Sequence, residues 1–164
     1  MLRKRKRKKS VNMNSTIKMW QVYLSGEIHT DWRERIVDGA SAAKLPIEFT
    51  SPVTDHESSD AAGDVLGKDQ NNFWRDHKSA NINAIRTKTL IENCDLSIIR
   101  FGDKYKQWNA AFDAGFCAAL GKPYLTLHND DIIHPLKEVD GTAMGWAQTP
   151  EQIVEILKYI TSNA

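Results

Sequence analysis

Five short apolar runs, separated by stretches of helical period, constrain this chain more than any other feature. They are "WQVYLSG" (Trp20–Gly26), "LPIEFTSPV" (Leu45–Val53), "DLSIIRF" (Asp95–Phe101), "KPYLTLH" (Lys122–His128) and the shorter "TAMGWAQ" (Thr142–Gln148). Runs of this length, rich in β-branched and aromatic residues and bounded by turn formers, read as strands. Between them, His29–Lys44 repeats Trp32, Ile36 and Val37 at helical spacing. Ser79–Cys94 carries an apolar stripe of Ile82, Ile85, Leu90 and Ile91. Trp108–Gly121 is a third helix, with Gly121 at its C-terminal cap. Asp130–Val139 reads as a short helix or turn. The chain closes on a helix that Thr149 caps, with Pro150 at its first position and Gln152 completing a capping box. Thr54–Asn72 is polar, has no sustained period and reads as a long loop. Strands alternating with helices imply an α/β fold with a mostly parallel sheet covered on both faces. Ligands of such folds sit beyond the carboxyl ends of the strands, near the point where strand order reverses. The loops after Ser25, Pro52 and Phe101 are therefore the places to look.

A chain of 164 residues suffices for one domain with one core. The domain reads as residues 19–164, preceded by a basic tail over residues 1–18. The first ten residues hold seven Lys or Arg and no acid. Without them 15 basic side chains face 21 acidic ones, so the net charge of +1 becomes −6 for the remainder. The body therefore lacks the basic patch of a nucleic-acid-binding domain. The tail reads as a disordered, solvated segment, with a nuclear-targeting or nucleic-acid role as its alternative. No apolar run approaches the ~18–20 residues of a membrane span, and no signal-peptide core follows the basic start. Cys94 and Cys117 have neither metal nor redox spacing and read as buried free thiols of a reducing compartment. A cytoplasmic protein is expected, with the tail as a route to the nucleus.

The helix "WNAAFDAGFCAALG" is apolar on most faces yet holds Asp113 at its centre. A buried carboxylate is costly unless it is paired. Asn109 lies four residues earlier and shares its face. Both fall in the first turns, where the helix dipole favours negative charge. From these properties alone, a functional carboxylate and a structural one are equally good readings. Tyr23 and Ser25 alternate along the first strand and so point to one side of the sheet. Core packing is the plainer reading of Tyr23. Gly26 lets the backbone turn closely at the strand end, with Glu27, His29 and Arg33 as polar neighbours. His29 alone suits a surface or capping role better than a catalytic one. The five histidines show no metal-ligand spacing, "HESSD" (His56–Asp60) reads as a polar loop, and neither a metal nor a cofactor is expected.

"VYLSGEIH", "NCDLSIIRFG" and "AAFDAGFCAALGKP" together resemble the nucleoside 2-deoxyribosyltransferase superfamily. "GEIHTDWR", "YKQWN" and "IIHPLKE" (Ile132–Glu138) resemble its YtoQ branch. The resemblance covers roughly residues 20–160. It implies a flavodoxin-like three-layer α/β/α sandwich on a five-stranded sheet, and cleavage of a nucleoside N-glycosidic bond. It places Asp113 where the family's nucleophilic Glu stands, and Tyr23 as the hydroxyl that bonds this carboxylate. Ser25, Gly26, Glu27, His29, Arg86, Trp108 and Asn109 become candidate substrate contacts. Arg86 or Thr87 occupies the neighbourhood of the acid that protonates the departing base, and Asp76 and Asp103 are further candidate acids. The implied activity is transfer of the sugar to another base or its hydrolysis, on a nucleoside, nucleotide or related glycoside. A non-catalytic nucleotide-binding module is the alternative. Homo-oligomers with shared sites are implied as well.

Overall fold

The computed structural model describes residues 18–103 and 108–162. The basic tail through residue 17 and the loop residues 104–107, with most of "YKQWN", lie outside them. Lys18, assigned above to the tail, is tied to the body: its Nζ pairs with Asp95 at 2.8 Å and lies 4.0 Å from the Trp20 ring centroid.

Five strands are present: β1 (Trp20–Gly26), β2 (Ile47–Thr50), β3 (Leu96–Arg100), β4 (Tyr124–Leu127) and β5 (Gly145–Ala147). They form one sheet in the order β2-β1-β3-β4-β5, and every neighbouring pair is parallel. That is the flavodoxin-like order, with the reversal point between β1 and β3. Six α-helices occur among the described residues: α1 (Trp32–Ala42), α2 (His56–Asp60), α3 (Asn72–Asn93), α4 (Trp108–Leu120), α5 (Lys137–Thr142) and α6 (Pro150–Thr161). The expected α/β/α sandwich is the observed fold.

The strand pleat divides the core in two. Val22, Leu24, Ile98 and Leu127 face one side and pack with Trp32 and Ile36 of α1 and Ile153 and Leu157 of α6. Tyr23, Ile99 and Tyr124 face the other, against Ile91 of α3 and Ala110, Ala114 and Cys117 of α4. Both cysteines are buried free thiols within 3.4 Å of the Ser97 hydroxyl. The capping box of α6 is formed: Thr149 Oγ1 accepts from Gln152 N at 3.3 Å, and Gln152 Oε1 accepts from Thr149 N at 3.2 Å.

Two elements differ from the sequence reading. The expected loop over Thr54–Asn72 contains α2 and a 3-10 turn at Asp64–Leu66. α3 also begins at Asn72, seven residues before Ser79. Its first turns bury no apolar stripe. Asn71 caps them by accepting from Trp74 N at 3.2 Å, and Phe73, Trp74 and His77 pack on one another at the surface. Apolar periodicity toward a core was therefore absent there. α1 starts at Trp32, three residues after the expected start, because Glu27 holds the intervening loop.

Candidate active site

A cleft of about 910 Å³ opens at the carboxyl ends of the strands, between the β1–α1 loop, α2, α3 and α4. Its floor is the end of β1. Gly26 has φ +102°, and a Cβ there would overlap the Arg100 carbonyl of the adjacent β3. No side chain fits where the two strands approach so closely, so the floor is bare backbone at the reversal point.

Asp113 reaches this floor from the second turn of α4. It is 8% exposed, and its Oδ2 accepts a short hydrogen bond from the Ser25 hydroxyl. Burial raises its pKa from 3.8 to about 6, while the Ser25 hydrogen bond acts in the opposite direction. The carboxylate is thus mostly ionised at neutral pH but poorly solvated, which makes it more reactive toward an electrophile than a hydrated one.

Tyr23 lies on the same side of the sheet, one pleat deeper. Its hydroxyl is buried beside Thr87 and meets no hydrogen-bond geometry. Burial, then the charge of Asp113, raises its pKa. The hydrogen bond to Asp113 expected from Tyr23 is therefore made by Ser25 instead. Strand alternation put both residues on the correct side, but only the packed depth of α4 selects between them.

Ser25, Gly26, His29, Arg86 and Asn109 all border the cleft with Asp113. The Arg86 guanidinium donates to Ser51 O at 3.2 Å, tying α3 to the end of β2. Trp108 and Glu27 do not border it. Trp108 is 72% exposed on the outer face of α4, and Glu27 is turned into the β1–α1 loop. Asp76 stands on the cleft wall, whereas Asp103 accepts from Asn129 at 2.9 Å.

Of the α2–α3 wall, sequence reasoning named Asp76 and Arg86 but missed Ser79 and Asn83. The four recur at helical spacing and line one side of the cleft. Ser79 Oγ accepts from Gly63 N at 3.0 Å and donates to Asp60 O at 2.7 Å. Asn83 donates to Ser59 O at 3.0 Å. A polar stripe was the available signal, and it was overlooked because only apolar periodicity was counted. Among the described residues no group of three or more His, Cys, Asp or Glu could hold a metal ion. Among the described residues no helix is long and apolar enough to cross a membrane.

Comparison with known proteins agrees with this fold and shows the family. A family model described as nucleoside 2-deoxyribosyltransferase YtoQ matches residues 23–161. The protein YtoQ of Bacillus subtilis (strain 168), itself uncharacterized, is 41% identical over 140 residues, covering 85% of this chain and 95% of its own. Two solved structures share the fold. A conserved protein from Enterococcus faecalis V583 has a TM-score of 0.59 at 14% identity, over 87% of this chain and 99% of that one. A 2-deoxyribosyltransferase from the psychrotolerant Bacillus psychrosaccharolyticus has a TM-score of 0.51 at 18% identity, over 82% and 90%.

Proposed function

Because the chain belongs to the YtoQ nucleoside 2-deoxyribosyltransferase family, we propose that it is an N-glycosidic-bond enzyme with Asp113 as its reacting carboxylate. The observation that carries this reading is the buried Asp113 at the cleft floor, bonded by Ser25 and raised to about 6. Cleavage of a nucleoside passes through an oxocarbenium-like state, which a facing carboxylate stabilises and can trap as an ester. In this scheme an Asp113 oxygen bonds the anomeric carbon as the C–N bond breaks, and its electron pair leaves with the base, which takes up a proton. A second base then displaces the carboxylate, giving transfer, or water does, giving hydrolysis. Asn109, one turn before Asp113, is placed to bond a sugar hydroxyl. The bare backbone at Gly26 lets the sugar approach the strand ends.

The deciding experiment offers a panel of nucleosides and nucleotides, with and without an acceptor base, to wild type and Asp113→Asn. Release of free base or exchanged nucleoside by wild type alone is expected. Equal turnover by both proteins removes Asp113 from the mechanism. Tight binding of an unchanged nucleotide, with no base release, favours the binding module.

An exposed aromatic pair on α4 supports a homo-oligomer. Trp108 and Phe112 are 72% and 74% exposed and stand one turn apart on the helix that carries Asp113, with Phe112 at the border of the cleft. Large adjacent aromatics in water mark an association surface. Sedimentation of wild type and Phe112→Glu checks this: the variant is expected to be smaller, and a monomeric wild type rejects it.

A further inference from the structure

In doubly wound folds the loop leading from β1 into the first helix is the usual seat of a phosphate, held by backbone N–H groups and the helix N-terminus. In this chain two donors of that loop, the His29 N–H and the Thr30 hydroxyl, are taken by a carboxylate of the chain itself. Glu27 is 3% exposed; one of its carboxylate oxygens accepts a short hydrogen bond from His29 N, and the other accepts from Thr30 Oγ1 at 2.6 Å. Its backbone is fixed as well. Glu27 N donates to Arg100 O at 3.1 Å, and its carbonyl accepts from Trp32 Nε1 at 2.7 Å and the Arg33 guanidinium at 2.5 Å. The side chain fits only because residue 102 is glycine, since a Cβ there would overlap Glu27 Cγ.

The nearest cation does not restore an anion site. Arg33 is 8% exposed and bonds three backbone carbonyls, those of Leu24, Gly26 and Glu27, with its guanidinium over the Trp32 ring. Its charge faces the strand end rather than the cleft. Glu27 stands behind the cleft lining, and a phosphate arriving at Gly26 and His29 would find the His29 N–H and the Thr30 hydroxyl already bonded to it.

We propose that Glu27 is a specificity-determining residue: its carboxylate occupies the β1–α1 anion cradle, so that the cleft rejects glycosides carrying a phosphate at that end. In naming a glycoside this rests on the function proposed above, whereas the filled cradle does not.

The test follows the amide signals of Gly26, His29 and Thr30 in the ¹⁵N-labelled full chain during titration with inorganic phosphate and with a nucleoside and its 5′-monophosphate. In wild type, millimolar phosphate is expected to leave these signals in place. In Glu27→Ala, which frees the His29 N–H and the Thr30 hydroxyl, phosphate is expected to shift them saturably, and the affinity of monophosphate relative to nucleoside to rise by about 10–100-fold. Saturable displacement of the loop signals by phosphate in wild type overturns the proposal, and needs no folded variant. An unchanged affinity ratio in a folded Glu27→Ala protein overturns it too. Absence of base release from any glycoside would count against the catalytic reading, while the phosphate titration still decides the role of Glu27.

Discussion

The two faces of the sheet are built from alternate residues of the same strands and have opposite chemistry. On the α1–α6 face, Val22, Leu24, Ile98, Leu127, Ile153 and Leu157 make an aliphatic core closed by a helix with a complete capping box. On the α3–α4 face the same strands present Tyr23, Ser25, Ser97 and Tyr124 against a helix bearing Asp113 and Cys117. The first face is made of groups that gain from leaving water. The second buries a carboxylate and a phenol without hydrogen-bond geometry, which lose by it. β1 thus stabilises the fold through Val22 and Leu24 and shapes the cleft through Ser25 and Gly26.

The largest expected effect lies on the polar face. Asp113→Asn should reduce base release on the order of 10³-fold or more, since the proposed reacting group is removed outright. Circular dichroism should remain unchanged. Next comes Leu157→Ala on the aliphatic face, expected to cost about 3 kcal/mol in urea unfolding. Activity per folded molecule should survive. A loss of rate in that variant at full folding would break the separation of the two faces.

The third effect is smaller and has the opposite sign. Asp113 holds its proton to about pH 6 in the fold, against 3.8 for the unfolded chain. Between those values the native state keeps a proton that the unfolded state has lost, so the contribution of Asp113 to stability falls as pH rises from 3.8 to 6. Its full penalty is present above 6. Asp113→Asn should therefore be more stable than wild type by up to roughly 3 kcal/mol at pH 7.5 and show little advantage below pH 3.8. Catalysis runs the other way, rising through pH 6 as the carboxylate ionises. An Asn variant no more stable than wild type at pH 7.5 would place Asp113 among satisfied structural carboxylates.

The same contrast explains what was legible in the chain. All five strands could be read because buried parallel strands are short apolar runs, and Thr149, Pro150 and Gln152 fix a helix start by local chemistry alone, whereas Val37 and Ile85 of the expected helix stripes are exposed. Asp113 stood out as a charge in an apolar helix. Its partner did not, because choosing between Ser25 and Tyr23 needs the depth at which α4 packs. Glu27 looked like a cleft residue from its position after Gly26, yet its side chain folds back onto His29 N and Thr30. The rest of the α2–α3 wall was hidden for a third reason. It is held by Ser79 and Asn83 bonding to loop backbone, and such bonds leave no hydrophobic period.

Gly26 also bears on how this family can diversify. With Arg100 O where its Cβ would be, the cleft floor cannot acquire a side chain without parting β1 from β3. Descendants that take new substrates have the α2–α3 wall to vary instead, where Asp76 is exposed, whereas exchanging the buried Ser79 costs the bonds that hold Gly63 and Asp60. The fixed and adaptable parts of the pocket are thereby separated, and a library aimed at altered specificity belongs at Asp76 and Asn83.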